Sequence, residues 1–166
     1  GELRRMLTER DEIAKAEVSS SHLCIHLKEA SFTTKLIDGR FPDYQRVMPG
    51  GEPAMVVADR VMLQQALART SILSNEKYRG IRFRLDEDLL HLQAHNPEQE
   101  EAQEEVELQY SGPPVTIGFN VSYLLDVLNV IDDDQVQIAV TDANSSALIT
   151  PVGADSPRYV VMPMRL

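Results

Sequence analysis

The sequence is short of cysteine and contains no long apolar run. Its single cysteine, Cys24, excludes a disulfide bond within the chain and fits a reducing compartment. No apolar stretch reaches the roughly 20 residues that a membrane-spanning helix needs. The first residues also lack the pattern of a secretory signal. We therefore predict a cytoplasmic protein, whose hydrophobic content of 43% is ordinary for a folded domain.

Basic residues are scarce as well. The chain has 16 lysine and arginine residues against 26 aspartate and glutamate residues, which gives a net charge of -10. Nucleic-acid phosphates are bound through basic surface, so this balance excludes tight, indiscriminate binding of nucleic acid over the whole protein. A local basic face on an acidic body remains compatible with it.

The motifs of common catalytic and cofactor sites are also missing. The sequence has no G-x-S-x-G motif, no glycine-rich loop for phosphates and no zinc-finger spacing. We predict neither catalytic residues nor a cofactor.

What the sequence does contain is a repeat. Residues 54–166 show twice a strand, a helix and three further strands. Asp59 and Asn120 stand where the two helices should begin, and both residue types are good helix caps. The positions at helical spacing are Leu63, Ala66, Leu67 and Thr70 in the first copy, and Val121, Leu124, Leu125, Leu128 and Ile131 in the second. Such copies usually pack side by side around one core.

The strands are predicted from alternating apolar and polar residues. Those after the first helix are GIRFRLD, LLHLQAH and EAQEEVELQYS, and those after the second are QVQIAVTD, SSALITP and PRYVVMP. The first 50 residues contain only part of such a unit, namely a helix end, ELRRML, and the strands AKAEVSS, HLCIHLKE and ASFTTKLID. The link GRFPDYQRVMPGGEP is rich in glycine and proline, and we place a domain boundary in it between residues 48 and 49.

Two clusters of potential metal ligands occur in the sequence. His22, Cys24 and His26 alternate along one predicted strand and therefore share a face, but Leu23, Ile25 and Leu27 on the other face predict that this face is only the solvated one. The run Asp132–Asp134 lacks spaced ligands and a glycine turn, so it is interpreted as a solvated loop. We predict no metal site.

Two other segments leave alternatives open. The last residues, YVVMPMRL, are either the final core strand or the lining of a binding surface. In the second segment, NPEQEEAQEEVELQ, six glutamates fall in a strand-forming region. They either protect a solvated edge strand or form an acidic edge that pairs with a basic edge of another chain.

Five separated motifs resemble one family. TTKLIDGRFPDYQRVMP, SILSNEKYRG, HNPEQEEAQEE, GFNVSYLLDVL and the closing YVVMPMRL resemble the bacterial sliding clamp, the beta subunit of DNA polymerase III. The resemblance covers essentially the whole chain. It implies an α+β DNA-clamp fold, with repeated β-α-β-β-β units and helices on one face of antiparallel sheets. Residues 1–48 would be the second half of the middle domain with the link, and residues 49–166 the third domain.

The resemblance also implies a function. In this family two subunits close into a ring around duplex DNA and act as a processivity factor without catalytic activity. The clamp holds the polymerase III catalytic subunit, clamp-loader subunits, other polymerases and repair proteins through short linear motifs. A stand-alone peptide-binding module that never encircles DNA is the alternative. A metal-dependent enzyme using His22, Cys24 and His26 is the weakest hypothesis.

The family's functional positions map onto three sets of residues. The peptide pocket corresponds to Pro42, Arg46, Val47, Tyr78, Asn120, Tyr123, Ser146, Val160, Val161, Met162, Pro163, Met164 and Arg165. The dimer interface corresponds to Ile72, Leu73, Glu98, Glu100, Glu101 and Glu104, the glutamates forming an acidic strand. Candidate DNA-facing residues on the helices are Arg4, Arg5, Arg60 and Arg69. The tail after the last strand is expected to contribute little to the sheet itself.

Overall fold

The structure is a computed structural model that describes residues 2–8, 13–39, 43–154 and 156–166. The chain forms two compact units, Gly1–Pro42 and Asp43–Leu166. The link residues from Asp43 onward belong to the second unit. The boundary that the sequence places between residues 48 and 49 stays a prediction.

The first unit contains one short helix and a three-stranded antiparallel sheet. The elements are α1 (Glu2–Leu7), β1 (Lys15–Val18), β2 (His22–His26) and β3 (Ser31–Lys35), with β2 in the centre. Ile25 is buried, as predicted from the alternation of β2. On the opposite face, Cys24 Sγ lies 3.3 Å from His26 Nε2. Within the described part of the chain, no three potential metal ligands are grouped closely enough to hold an ion.

The second unit contains the predicted repeat. A 3-10 helix covers Tyr44–Arg46. The first copy consists of β4 (Ala54–Asp59), α2 (Arg60–Ser71), β5 (Gly80–Asp86), β6 (Leu89–His95), β7 (Glu101–Glu107) and β8 (Gln109–Tyr110). The second copy consists of β9 (Val115–Asn120), α3 (Val121–Val130), β10 (Gln135–Val140), β11 (Ala147–Pro151) and β12 (Tyr159–Val161). The α+β arrangement with repeated β-α-β-β-β units is confirmed.

Each copy gives its first strand to the sheet of the other copy. The five-stranded sheet has the order β12-β11-β10-β4-β8, and the four-stranded sheet has the order β7-β6-β5-β9, with every pairing antiparallel. The helices pack on each other; α2 also packs on β4, β6 and β7, and α3 on β9 and β12. The exchange of strands gives the two copies one core, in which Phe83 of β5 and Phe119 of β9 meet edge to face at 5.7 Å.

Both predicted helix caps are confirmed. The Asp59 side chain accepts a hydrogen bond from the Met62 amide at 2.8 Å, and the Asn120 side chain accepts one from the Ser122 amide at 2.9 Å. Each bond satisfies an amide that has no partner within its helix. Because the cap is also the last residue of β4 or β9, it fixes the point where strand turns into helix.

The prediction of one strand for EAQEEVELQYS is wrong, because the segment forms two strands in different sheets. β7 ends at Glu107, and the Leu108 amide then donates to the Asp88 carbonyl at 3.0 Å. Tyr110 in β8 pairs with Val56 of β4. Leu108 and Tyr110 are only 8% and 4% exposed, so both become buried where the chain passes from one sheet to the other.

None of the helices in the described part of the chain has the length and apolar character needed to span a membrane.

Candidate peptide-binding site

The tail, residues 162–166, crosses from the sheet of the second copy to the sheet of the first. Val161 of β12 still pairs with Ala147 in the five-stranded sheet. Three residues later, the Met164 amide donates to the Gly118 carbonyl of β9 at 2.8 Å. The Leu166 side chain lies over Gly80 and Gly118. The tail belongs to no strand, but this bond ties it to a strand of the other sheet, and the expectation that it contributes little to the sheet stays a prediction.

The link packs beside the beginning of the tail. Ser146 Oγ donates to the Val47 carbonyl at 2.5 Å. Because Ala147 is paired with Val161, Ser146 lies at the point where β12 passes into the tail. The Asp43 side chain caps the 3-10 helix by accepting a bond from the Gln45 amide at 3.1 Å. The structure thus brings the predicted pocket residues Val47 and Ser146 together at the beginning of β11.

A turn after α2 holds a second group of predicted pocket residues. The Asn75 side chain accepts bonds from the amides of Lys77 and Tyr78, at 2.9 and 3.0 Å. Asn120 then donates from Nδ2 to the Tyr78 carbonyl at 3.2 Å. The cap of α3 therefore also fixes the turn that presents the Tyr78 ring, which is 55% exposed.

A cleft of about 360 Å³ lies between this turn and the tail. Its lining combines apolar residues, among them Tyr78, Met164 and Leu166, with the basic residue Arg165. The full lining is Asn75, Tyr78, Gly80, His95, Asn96, Pro97, Met164, Arg165 and Leu166. The cleft can take an apolar side chain with a polar or acidic neighbour.

The remaining predicted pocket residues differ in exposure. Met162 and Tyr123 are each 58% exposed, and Arg46 lies on the surface with its Nε 3.9 Å from Asp43 Oδ2. Val161, in contrast, is 3% exposed and belongs to the core. Val160 and Pro163 are half-buried. Pro42 lies outside the described residues.

The four arginines predicted to face DNA have different surroundings. Arg4 and Arg5 are exposed on α1, and Arg5 pairs with Glu2 at 2.6 Å. Arg60 donates from Nε to the Asp133 carbonyl at 2.8 Å, which ties the start of α2 to the loop after α3. Arg69 makes two bonds to the Glu104 carboxylate, at 2.6 and 3.0 Å.

The pairing of Arg69 with Glu104 joins two residues for which the sequence predicted separate roles. The guanidinium lowers the pKa of the Glu104 carboxyl, and the carboxylate raises the pKa of Arg69. The two charges balance each other inside the chain. Their predicted roles toward DNA and toward a second subunit stay predictions.

The predicted interface residues lie at the end of α2 and along the entry to β7. Ile72 is 75% exposed directly after α2, and Leu73 is half-buried. Glu98 and Glu100 precede β7, which begins only at Glu101, so the prediction that all four glutamates lie on one strand is wrong. The reason is a turn at Asn96, whose Oδ1 accepts a bond from the Glu100 amide at 2.9 Å.

The two glutamates that do lie on β7 point to opposite faces of the strand. Glu101 is exposed, and hydrogen bonds from Gln93 and Gln103 lower its pKa. Glu104 lies on the face that packs toward α2, where it meets Arg69. Both glutamates thus have partners within the chain, and their predicted interface role stays a prediction.

Sequence reasoning missed Gly80, Gly118 and Leu166 and the His95–Pro97 side of the cleft. A signal for the glycines was present, because an isolated glycine in an alternating strand often marks a close approach of other backbone. Gly118 interrupts VTIGFN, and Gly80 opens GIRFRLD. What approaches them could not be deduced, because the tail is far away in the sequence.

Known families match both units of the chain. Residues 45–165 match the C-terminal domain of the DNA polymerase III beta subunit, and residues 1–43 match its central domain. The chain belongs to the DNA polymerase III beta subunit family. The earlier resemblance to sliding clamps is confirmed.

Clamp relatives are similar over the whole chain. It is 54% identical to the beta sliding clamp of Pseudomonas aeruginosa and 47% identical to that of Escherichia coli strain K12, and in each case 99% of this chain matches 45% of the relative. Two solved Pseudomonas aeruginosa clamps, one of them bound to griselimycin, give TM-scores of 0.78 and 0.76 at 54% and 55% identity. Each aligns over 99% of this chain and 45% of its own. The chain therefore spans about half the length of these relatives.

Proposed function

We propose that the protein to which this chain belongs is a ring-forming sliding clamp that encircles duplex DNA, as its relatives, of which the chain covers about 45%, suggest. It acts in the cytoplasm as a processivity factor without catalytic activity of its own. The observation that carries the proposal is the approach of the Asn75–Arg79 turn, which the cap of α3 holds, to the tail around apolar side chains. A ring needs such a surface to hold its partners.

The proposed pocket binds short linear motifs of the polymerase III catalytic subunit, clamp-loader subunits, other polymerases and repair proteins. Support comes from Met162, Met164 and Tyr78, whose exposed or half-buried side chains offer apolar contact area. Methionine is flexible and polarizable, so one surface can accommodate leucine or phenylalanine from different partners. By analogy with the Pseudomonas aeruginosa clamp, we propose that griselimycin also binds this protein.

The proposed ring closes between Ile72 and Leu73 of one subunit and the first domain of another. Ile72 supports this assignment, because its side chain is 75% exposed without belonging to the apolar stripe of α2. Glu98, Glu100 and Glu101 would set the register through pairs with basic residues. With a net charge of -10, the protein would hold DNA by enclosure and by a few arginines such as Arg60 rather than by tight phosphate contacts.

The experiment that tests the proposal compares circular with linear DNA. The full-length protein is loaded by its clamp loader onto a nicked circular plasmid, and bound protein is separated from free protein by gel filtration. We expect the protein to stay on the circle and to be lost after a single restriction cut, because a ring slides off an end. Equal retention on linear DNA would show that the protein grips DNA instead of enclosing it.

A further inference from the structure

One position in the first strand of each copy is valine in the first copy and glycine in the second. β4 ends at Asp59 opposite Gln135 of β10, and β9 ends at Asn120 opposite Gly80 of β5. Counting back two residues from each cap, Val57 in β4 corresponds to Gly118 in β9.

The segment that follows the fourth strand of each copy, β8 after β7 and the tail after β12, is bonded to the same two positions. In the first copy, Gln109 of β8 pairs with Val57. In the second copy, the Met164 amide bonds to the Gly118 carbonyl. The tail is thus the counterpart of β8. It differs from β8 in that it bends over the face of the sheet, so that Leu166 lies above two glycines.

This bend is possible only because the side chains at 80 and 118 are missing. A Cβ added at Gly118 would overlap the Met164 carbonyl oxygen and would lie 2.8 Å from Leu166 Cγ. A Cβ added at Gly80 would lie 2.5 Å from Leu166 Cδ2, while its next neighbours would be at 3.7 Å. Neither glycine has a positive φ, so close approach and not backbone conformation is the reason for glycine here.

We propose that Gly80 and Gly118 form a glycine seat that positions the tail as a wall of the peptide pocket. The inference rests on the proposed function, since it assigns two positioning residues to the same site. The seat fixes Met164 by its backbone and Leu166 by its side chain, and both residues line the cleft together with Tyr78. A partner side chain then meets a wall already in place, which avoids the entropic cost of ordering the tail on binding.

The two glycines should respond differently to a methyl group. At Gly118 the obstacle includes a backbone oxygen, which no side-chain rotation can move away. At Gly80 the obstacle is the end of a leucine side chain, which can turn aside or be removed. Replacement of Gly118 should therefore displace the tail, whereas the effect of replacing Gly80 should depend on Leu166.

The test uses full-length Gly118→Ala, Gly80→Ala, Leu166→Ala and the double variant Gly80→Ala/Leu166→Ala. Gly50→Ala is the matched control, because a Cβ at Gly50 would meet no atom within 4 Å and its φ is not positive. Hydrogen exchange of the Met164 amide reports whether the tail is seated. Fluorescence anisotropy with a labelled peptide containing leucine and phenylalanine reports binding. Sedimentation and thermal melting report assembly and folding.

We expect Gly118→Ala to lose protection of the Met164 amide and to bind peptide one to two orders of magnitude more weakly, the loss typical for one apolar anchor. Gly80→Ala should weaken binding less, and adding it to Leu166→Ala should have no further effect. Gly50→Ala should match the wild type in every measurement.

Three results would overturn the inference. The first is a folded Gly118→Ala variant with wild-type amide protection and affinity. The second is a Gly80→Ala change that weakens peptide binding as much in the Leu166→Ala variant as in the wild type. Such a result would mean that the effect of Gly80→Ala does not arise from a clash with Leu166. The third is a wild-type protein that binds no peptide although its Met164 amide is protected. This last result overturns the proposed pocket as well, which distinguishes it from the other two.

Discussion

The two copies in the second unit share one frame but present different surfaces. Helix α2 carries Arg60, Arg69 and two glutamines, whereas α3 (Val121–Val130) contains no basic residue. The first copy also contributes the turn at Asn75, and the second contributes the cap Asn120 that fixes this turn. A duplicated frame therefore leaves exposed positions free to diverge, because the buried positions alone preserve the fold.

The ends of the two copies differ in the same way. After the chain has passed to the other sheet, β8 pairs with β4 as a strand, and its residue Tyr110 is only 4% exposed. The tail makes one backbone bond at Met164 and leaves Met162 58% exposed. The first end closes a sheet, and the second keeps apolar side chains accessible on a fixed backbone.

The largest effect should come from the exposed Ile72 after α2, which, counted from the helix caps, corresponds to Asp133 in the second copy. The full-length Ile72→Ala/Leu73→Ala variant should sediment as a monomer where the wild type is a dimer, because the apolar contact of the proposed interface is removed. Met62→Ala is the control, since Met62 is exposed on α2 but is not assigned to the interface. An intact dimer in the double variant would exclude the assignment.

Deletion of Met162–Leu166 should separate the role of the tail from that of β8. Peptide affinity should fall by one to two orders of magnitude, because each apolar anchor loses about 1.5–3 kcal/mol of burial. The dimer should persist. Stability should also drop by roughly 0.5–1.5 kcal/mol, because the hydrogen bond from Met164 to Gly118 is lost. Anisotropy, sedimentation and urea unfolding measure the three effects, and unchanged peptide affinity would show that the tail has only a structural role.

Replacing the two caps compares the copies directly. Asp59→Ala and Asn120→Ala should each destabilise the protein by about 0.5–2 kcal/mol, because each leaves a helix amide without its partner. Only Asn120→Ala should also weaken peptide binding, since Asn120 holds the Tyr78 carbonyl. Urea unfolding and anisotropy check this. Equal loss of peptide affinity in both variants would mean that the cap acts through general stability.

The smallest effect concerns the ion pair that joins α2 to β7. The folded-state pKa of Glu104 is lowered by Arg69, so the pair contributes stability above the ordinary glutamate pKa, and this contribution is lost as the pH falls through the lowered value. Glu104→Gln should lower the melting temperature by roughly 1–3 °C at pH 7. Well below the ordinary glutamate pKa the two proteins should melt together. Glu107→Gln, an exposed residue of the same strand, is the control, and a difference between Glu104→Gln and the wild type that persists in acid would exclude the ion pair as its cause.

The repeat, the two caps and the strand alternation could be predicted from the sequence because they depend on neighbouring residues. Asp59 and Asn120 stand directly before helical spacing, and Ile81, Phe83 and Leu85 alternate with two arginines. A cap bonds an amide two or three residues away, and alternation follows from the geometry of a single strand. The pocket residues came from the family resemblance, and their roles stay predictions.

Tertiary structure alone decided the features that depend on residues far apart in the chain. The split of EAQEEVELQYS follows from the partners that bury Leu108 and Tyr110, and the pairing of Arg69 with Glu104 joins two elements 35 residues apart. The position of the tail depends on the space above Gly80 and Gly118. A local pattern fixes which face of a strand is apolar, but not which distant segment fills the space above it, because that choice depends on the packing of both sheets at once.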